Sequence, residues 1–171
     1  MISIIRHNGS NIGGLKPFHF AFIEDVLTCD YNKSTLLCTI TLNNNSVWNY
    51  IYGTDDSIKL DTDSQETSAG TTYTYKITHL IPKDRRDVEM NLRKMAGRGM
   101  IVVSQDKNGV SRVYGNKENP MRCLYKLLKP ADVPGYNGWE VSFFGTFSEP
   151  AGYHTLTGTL LTEPPNEDSE E

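Results

Sequence analysis

The chain has 171 residues, 37% of them apolar, and a formal net charge of −4. That length suits one domain able to bury a core, and the prominence of Thr, Asn, Gly and Tyr favours strands and turns over helices. No run approaches the ~20 apolar residues of a membrane helix, and the opening MISIIRHNGSNIGG lacks the apolar stretch and small-residue site of a secretory signal.

In chain order, FHFAFIEDVLTC begins as an alternating strand with Phe18, Phe20 and Phe22 on one face. STLLCTITL (34–42) reads as a second strand. VWNYIYG (47–53) reads as its return, with Trp48, Tyr50 and Tyr52 on one side. The intervening Asn43–Asn45 turn tolerates left-handed backbone, so these two strands are expected to form a hairpin. TDDSIKLDTDSQETSAG is acidic and polar, with an apolar island at Ile58 and Leu60. It can hold a short edge strand and is expected to include a mobile loop. TTYTYKITHLI alternates cleanly, setting Tyr73, Tyr75, Ile77, His79 and Ile81 against Thr74, Lys76, Thr78 and Leu80.

One helix is predicted over about 84–96. Asp84 is its expected cap, Val88, Leu92 and Met95 its apolar stripe, Glu89 and Arg93 a favourable i, i+4 pair, and Gly97 its stop. MIVVSQ and VSRVYG flank Asp106–Gly109 and predict an extended hairpin over about 100–115, because Asn-Gly accepts positive φ at both positions. RCLYKLLK is ambiguous between strand and helix. WEVSFFGTF and YHTLTGTLL close the series as strands, ahead of the acidic TEPPNEDSEE. The fold class is therefore mainly β: an antiparallel sandwich or barrel with one short helix packed on it. A single domain spans 1–162, and an acidic tail, 163–171, is expected to be held by a neighbouring chain.

Charge is segregated. Residues 1–75 carry 4 basic and 8 acidic groups, 76–129 carry 13 and 5, and 130–171 carry none and 8. A chain so divided can attract copies of itself or an oppositely charged neighbour, unless folding intermixes the segments. Cys29, Cys38 and Cys123 form an odd set without a Cys-x-x-Cys pair and read as reduced, mostly buried thiols of a protein made in a reducing cytoplasm.

No motif for chemistry emerges. Counting from Asp106, Gly109 and Glu118 fall at the wrong positions for a calcium loop, and counting from Asp61, Glu66 stands where the glycine belongs. Gly97-Arg98-Gly99 follows a helix and lacks the rest of a phosphate cradle. His79 reads as a packed histidine. No enzyme activity, metal, cofactor or membrane contact is expected. Two binding alternatives stand beside an assembly role. One is a nucleic-acid surface in the basic segment 85–122, where Arg85, Arg86, Arg93, Lys94 and Arg98 mingle with Tyr114 and Tyr125. The other is a carbohydrate-binding sandwich using Trp48, Trp139 and the tyrosines as stacking platforms.

The order FHFAFIEDVLTC, VWNYIYGTDDS, AGTTYTYKITHLIPKDRRDVEMNLRKM, MIVVSQDKNGVSRVYGNKENPMRCLYK and GYNGWEVSFFGTFSEPAGYHT resembles small structural proteins of tailed bacteriophages. The likeness is greatest to tail and neck proteins of phages infecting Bacteroides-type bacteria, including the crAss-like group, and covers about residues 18–154. It implies a virion protein, made in the host bacterium, that forms a ring in the tail or head–tail connector. Its partners would be copies of itself and other tail, neck or portal proteins, with DNA passing through a lumen without specific binding. On that view the hairpin around Asn108 and Gly109 is an assembly element. Lys107, Arg112, Lys117 and Arg122 would meet carboxylates of another chain, the candidates being Asp55, Asp56, Asp61, Asp63 and the acidic tail.

Overall fold

The computed structural model describes residues 13–54, 56–129, 131 and 135–154. The strands in chain order are β1 (His19–Phe22), β2 (Val26–Asn32), β3 (Leu37–Leu42), β4 (Asn49–Tyr50), β5 (Lys59–Thr67), β6 (Gly70–Pro82), β7 (Gly99–Gln105), β8 (Ser111–Tyr114), β9 (Met121–Leu128), β10 (Gly138–Phe147) and β11 (Gly152–His154). A 3-10 turn, Ile23–Asp25, links β1 to β2, and one α-helix, α1 (Arg86–Met95), precedes β7. The expected class is what is found: mainly β, with a single α-helix among the described residues. All strand pairs are antiparallel except β3 with β11, so the sheet is mixed.

The sheet runs β2-β3-β11-β8-β7-β9-β10-β6-β5, with β1 and β4 off this path. β7 is the junction. Its residues 99–100 pair with β9 and its residues 102–105 with β8, while β1 lies along its other margin. Both faces of this region are covered. Phe20, Phe22, Met100, Val102 and Tyr114 enter the larger core, and Ala21, Ile101, Val103 and Val113 enter a second, smaller one. Successive residues of a strand point to opposite faces, so a strand buried on both sides needs an unbroken apolar run, which is what Met100–Val103 supplies. β6 faces water on one side and accordingly alternates: Tyr75, Ile77, His79 and Ile81 are buried while Thr74 and Lys76 are exposed.

The helix buries Val88, Leu92 and Met95 as its spacing predicted. Asp87 and Glu89 stand in its first turn and Arg93 and Lys94 in its last, complementing the helix dipole. Asp84 is not its cap. Arg85 occupies that position without a side-chain cap bond, and Asp84 instead pairs with Lys129 at 2.7 Å, tying the start of the helix to the end of β9.

Three local expectations are corrected. First, β3 does not return through 47–53. It pairs with β2, because Asn32 folds a turn in which its Oδ1 accepts from the Ser34 and Thr35 amides at 2.9 and 3.1 Å. β4 then pairs with β1. Second, the acidic segment after Ile58 does hold an edge strand, as expected, but a long one where a loop was expected beside it. It forms nine-residue β5, joined to β6 by a tight turn in which Thr67 faces Gly70. Third, Asn108-Gly109 is not a two-residue turn. The hairpin closes between Gln105 and Ser111, and Asp106 organises the loop, its Oδ1 accepting from the Asn108 and Val110 amides at 2.9 and 2.8 Å. Of the pair, only Gly109 takes positive φ, at 89°. RCLYKLLK resolves as strand β9. The acidic tail 163–171 and the rest of YHTLTGTLL beyond His154 lie outside the described residues.

Gly53 marks a close approach of two segments. The Thr54 amide donates to the Leu80 carbonyl at 2.8 Å, and a Cβ on Gly53 would lie 2.2 Å from that oxygen and 2.6 Å from His79 Nε2. Gly53→Ala is therefore expected to destabilise by about 1–3 kcal/mol through overpacking against backbone. Urea denaturation checks it, with Gly70→Ala, where nothing lies within 4 Å but φ is +120°, as a comparison that isolates backbone strain from crowding.

Candidate assembly surface

The cations expected to reach another chain have partners within this one. Lys107 pairs with Asp56, and its amide donates to the Gly14 carbonyl at 3.1 Å as the N-terminal segment crosses the hairpin loop. Arg112 donates to the Ala151 carbonyl at 3.1 Å and to the Tyr153 hydroxyl at 2.7 Å, and its guanidinium lies over the Tyr153 ring. Lys117 spans the Val26 and Leu27 carbonyls at 2.9 and 3.1 Å, and Arg122 reaches the Gly97 carbonyl at 3.0 Å. Arg112 thus anchors β11, Lys117 the start of β2, and Arg122 the turn after the helix. The Asn108 and Gly109 amides are turned inward onto Asp106.

The acidic candidates divide differently. Asp56 belongs to Lys107. Asp61 and Asp63 stand on β5, where their recorded contacts are to the same strand: Lys59 at 2.7 Å and Gln65 at 3.1 Å. Asp55 lies outside the described residues.

Two surfaces remain available. Among the described residues β5 has a neighbour on one margin only, so alternate backbone amides and carbonyls along its nine residues face outward, flanked by Asp61, Asp63 and Glu66. β2 ends the other side of the sheet, but Lys117 already occupies acceptors at its start. The second surface is the outward face of β9 and β10. Leu124 is 62% exposed and Phe144 38%, and strand register sets Arg122, Phe144, Lys76 and Asp61 in one row across β9, β10, β6 and β5. An apolar pair beside cations, two strands from an acidic margin on the same face, is a surface that can meet that margin on a second copy. Sequence reading missed Leu124 and Phe144. The available signal was an apolar residue in the outward phase of each strand, between Arg122 and Lys126 in β9 and just after buried Phe143 in β10.

Several residues of the two binding alternatives are paired within the chain or packed against its cores. Arg93 pairs with Glu89 at 2.6 Å, Arg98 with Glu24 while stacking over Phe22, and Arg85 approaches Asp87 at 3.9 Å. Trp139 is buried in the larger core and Trp48 packs against the smaller one. Tyr50 and Tyr52 are exposed, edge to face at 5.7 Å, beside a groove of about 690 Å³ between β4 and the helix. Among the described residues no group of three or more His, Cys, Asp or Glu side chains is placed to hold a metal ion, and no helix is long and apolar enough to cross a membrane. No protein-family model, no curated protein and no solved structure matches the chain.

Proposed function

We propose that this chain is a virion structural protein that assembles head to tail into a ring in a phage tail or head–tail connector. The observation that carries the reading is β5, a nine-residue strand at the open margin of the sheet, exposed along nearly its whole length. A strand margin of that length is completed by a strand of another chain, and main-chain bonds then supply the affinity. The acidic side chains of β5 and the apolar, cationic patch of β9 and β10 are separate patches of one sheet face, two strands apart. Their contact is heterologous, the kind that closes into a ring when its rotation divides the circle. The order of segments, which resembles that of small phage tail and neck proteins, supports the same reading.

Charge reversal at Arg112 or Lys117 would be a poor test, since both hold this chain's own backbone carbonyls. Asp61→Lys with Asp63→Lys is the cleaner one, because both side chains are on an exposed strand and their ion pair and hydrogen bond, to Lys59 and Gln65, lie within it. Native mass spectrometry and negative-stain microscopy are expected to show a closed ring for the natural chain. The double variant should remain a folded monomer whose stability falls by no more than about 1 kcal/mol, from the lost Lys59 pair and the facing Lys76, and raised salt should weaken the natural ring in the same direction. A natural chain that stays monomeric at every concentration, or a double variant that assembles equally well, would sink the reading.

A further inference from the structure

We propose that Cys29 and Cys38 form a thiol–disulfide exchange site, in which Cys29 attacks a low-molecular-weight disulfide and Cys38 resolves the product into a reversible cross-link between β2 and β3. This rests on the position of the two sulfurs and is independent of any assembly role.

The sulfurs are 3.8 Å apart. Cys29 stands opposite Ile40 and Cys38 opposite Tyr31, so the two cysteines are diagonal neighbours across an antiparallel pair. Both line one open cavity of about 260 Å³ between the β2–β3 hairpin and the loop 148–152, with Tyr31, Tyr114 and Asn116 among its other walls. Cys38 is buried, while Cys29 is only partly so and therefore the sulfur a small reagent meets first. The Cys38 thiol, hydrogen-bonded to Cys29, holds the Cys29 thiol below its ordinary value against the opposing effects of burial and the Asp30 carboxylate, with a lesser contribution from the charge of Lys117. The same hydrogen bond and burial push Cys38 up, which suits a group that keeps its proton until Cys29 has reacted. Cys123 provides an internal contrast: it is buried in the larger core, and burial alone pushes its thiol up to about 12.

The step balances. The Cys29 thiolate attacks one sulfur of the disulfide RSSR, forming Cys29–S–SR and releasing RS⁻, which takes a proton from water. Cys38, on losing its proton, attacks the Cys29 sulfur. This forms the Cys29–Cys38 bond and releases the second RS⁻. The two thiols are oxidised and RSSR is reduced to two RSH. Diagonal cross-strand residues have Cα atoms about 7–8 Å apart, whereas disulfides usually span about 4.4–6.8 Å, so closure must draw the strands together. β2 can yield, because it ends the sheet and its pairing with β3 already shifts register between Val26 and Thr28. A bond closed against that resistance is readily reduced again, which makes it an exchange site and not a permanent staple.

The test incubates the full chain with hydroxyethyl disulfide, quenches with iodoacetamide and reads intact mass and peptides. The expected product has lost two hydrogens, with Cys29 joined to Cys38 and Cys123 alkylated only after denaturation. Dithiothreitol should restore the starting mass. In Cys38→Ser the mixed disulfide should accumulate on Cys29, and in Cys29→Ser the labelling of Cys38 should slow. A natural chain that stops at mixed disulfides, or whose Cys123 reacts first, would overturn the proposal without recourse to any variant.

Discussion

Phe143→Ala is expected to lower the unfolding free energy by about 3–5 kcal/mol, a large share of the ~5–15 kcal/mol that holds a domain of this kind folded. Phe143 is wholly buried on β10, edge to face with Phe18 at 5.1 Å and tilted against Phe20 at 5.9 Å. It is where the β10–β6 side of the sheet meets β1, so truncation removes aromatic surface from both sides and leaves a void that the flanking strands cannot close. The next residue supplies the control. Phe144 points to the opposite face of the same strand, and Phe144→Ser should shift stability by no more than about 0.5 kcal/mol while weakening association between copies. Urea denaturation paired with sedimentation separates the two effects. Equal destabilisation by both variants would mean that the outward face of β10 is part of the fold and is not a docking surface.

Acidification is expected to destabilise the protein through His79. This side chain is 1% exposed on β6, against the Phe18 ring at 5.8 Å, and its Nδ1 has no hydrogen-bond partner among the described residues. Burial lowers its pKa from 6.5 to about 4, outweighing a backbone hydrogen bond at Thr54 that acts the other way. The unfolded chain therefore binds the proton more readily than the folded one. The contribution of the neutral ring is fully present above pH 6.5 and is lost as pH falls toward about 4. Over that window the loss amounts to about 3 kcal/mol. His19, half-buried on β1, shifts the same way for the same reason and adds to the slope. Unfolding free energies of the natural chain and His79→Gln measured across this range should diverge, the variant being the flatter. An imidazole signal from His79 that titrates near pH 6.5 in the folded protein would show that the ring is hydrated after all.

What could be read from the sequence followed from how many faces each strand buries. β6, with one face in water, shows its core residues in alternation, and the helix shows Val88, Leu92 and Met95 at helical spacing. The partner of a strand was less legible. β3 was expected to pair with the segment after it, because the Asn43–Asn45 run is a visible turn signal. The stronger constraint was Asn32, whose side chain closes the turn before β3 and commits that strand to β2. The length of β5, expected to be short, was hidden for a related reason. Apart from Leu60, its side chains are polar on both faces, so it shows little apolar pattern, and its strand structure comes from backbone pairing with β6.

The assembly residues divide along the same line. The sequence displays Arg112, Lys117 and Arg122 as charges, and a charge invites the expectation of an opposite charge. In the folded chain they meet main-chain carbonyls, whose positions no side-chain pattern records. By itself the sequence determined the class of fold, the helix and the buried phase of its alternating strands, because these depend on local periodicity and on removing apolar side chains from water. The tertiary structure alone decided which strand ends the sheet, which cations are occupied and which sulfurs adjoin. Those are contacts between residues far apart in the chain, fixed only when the strands take their order.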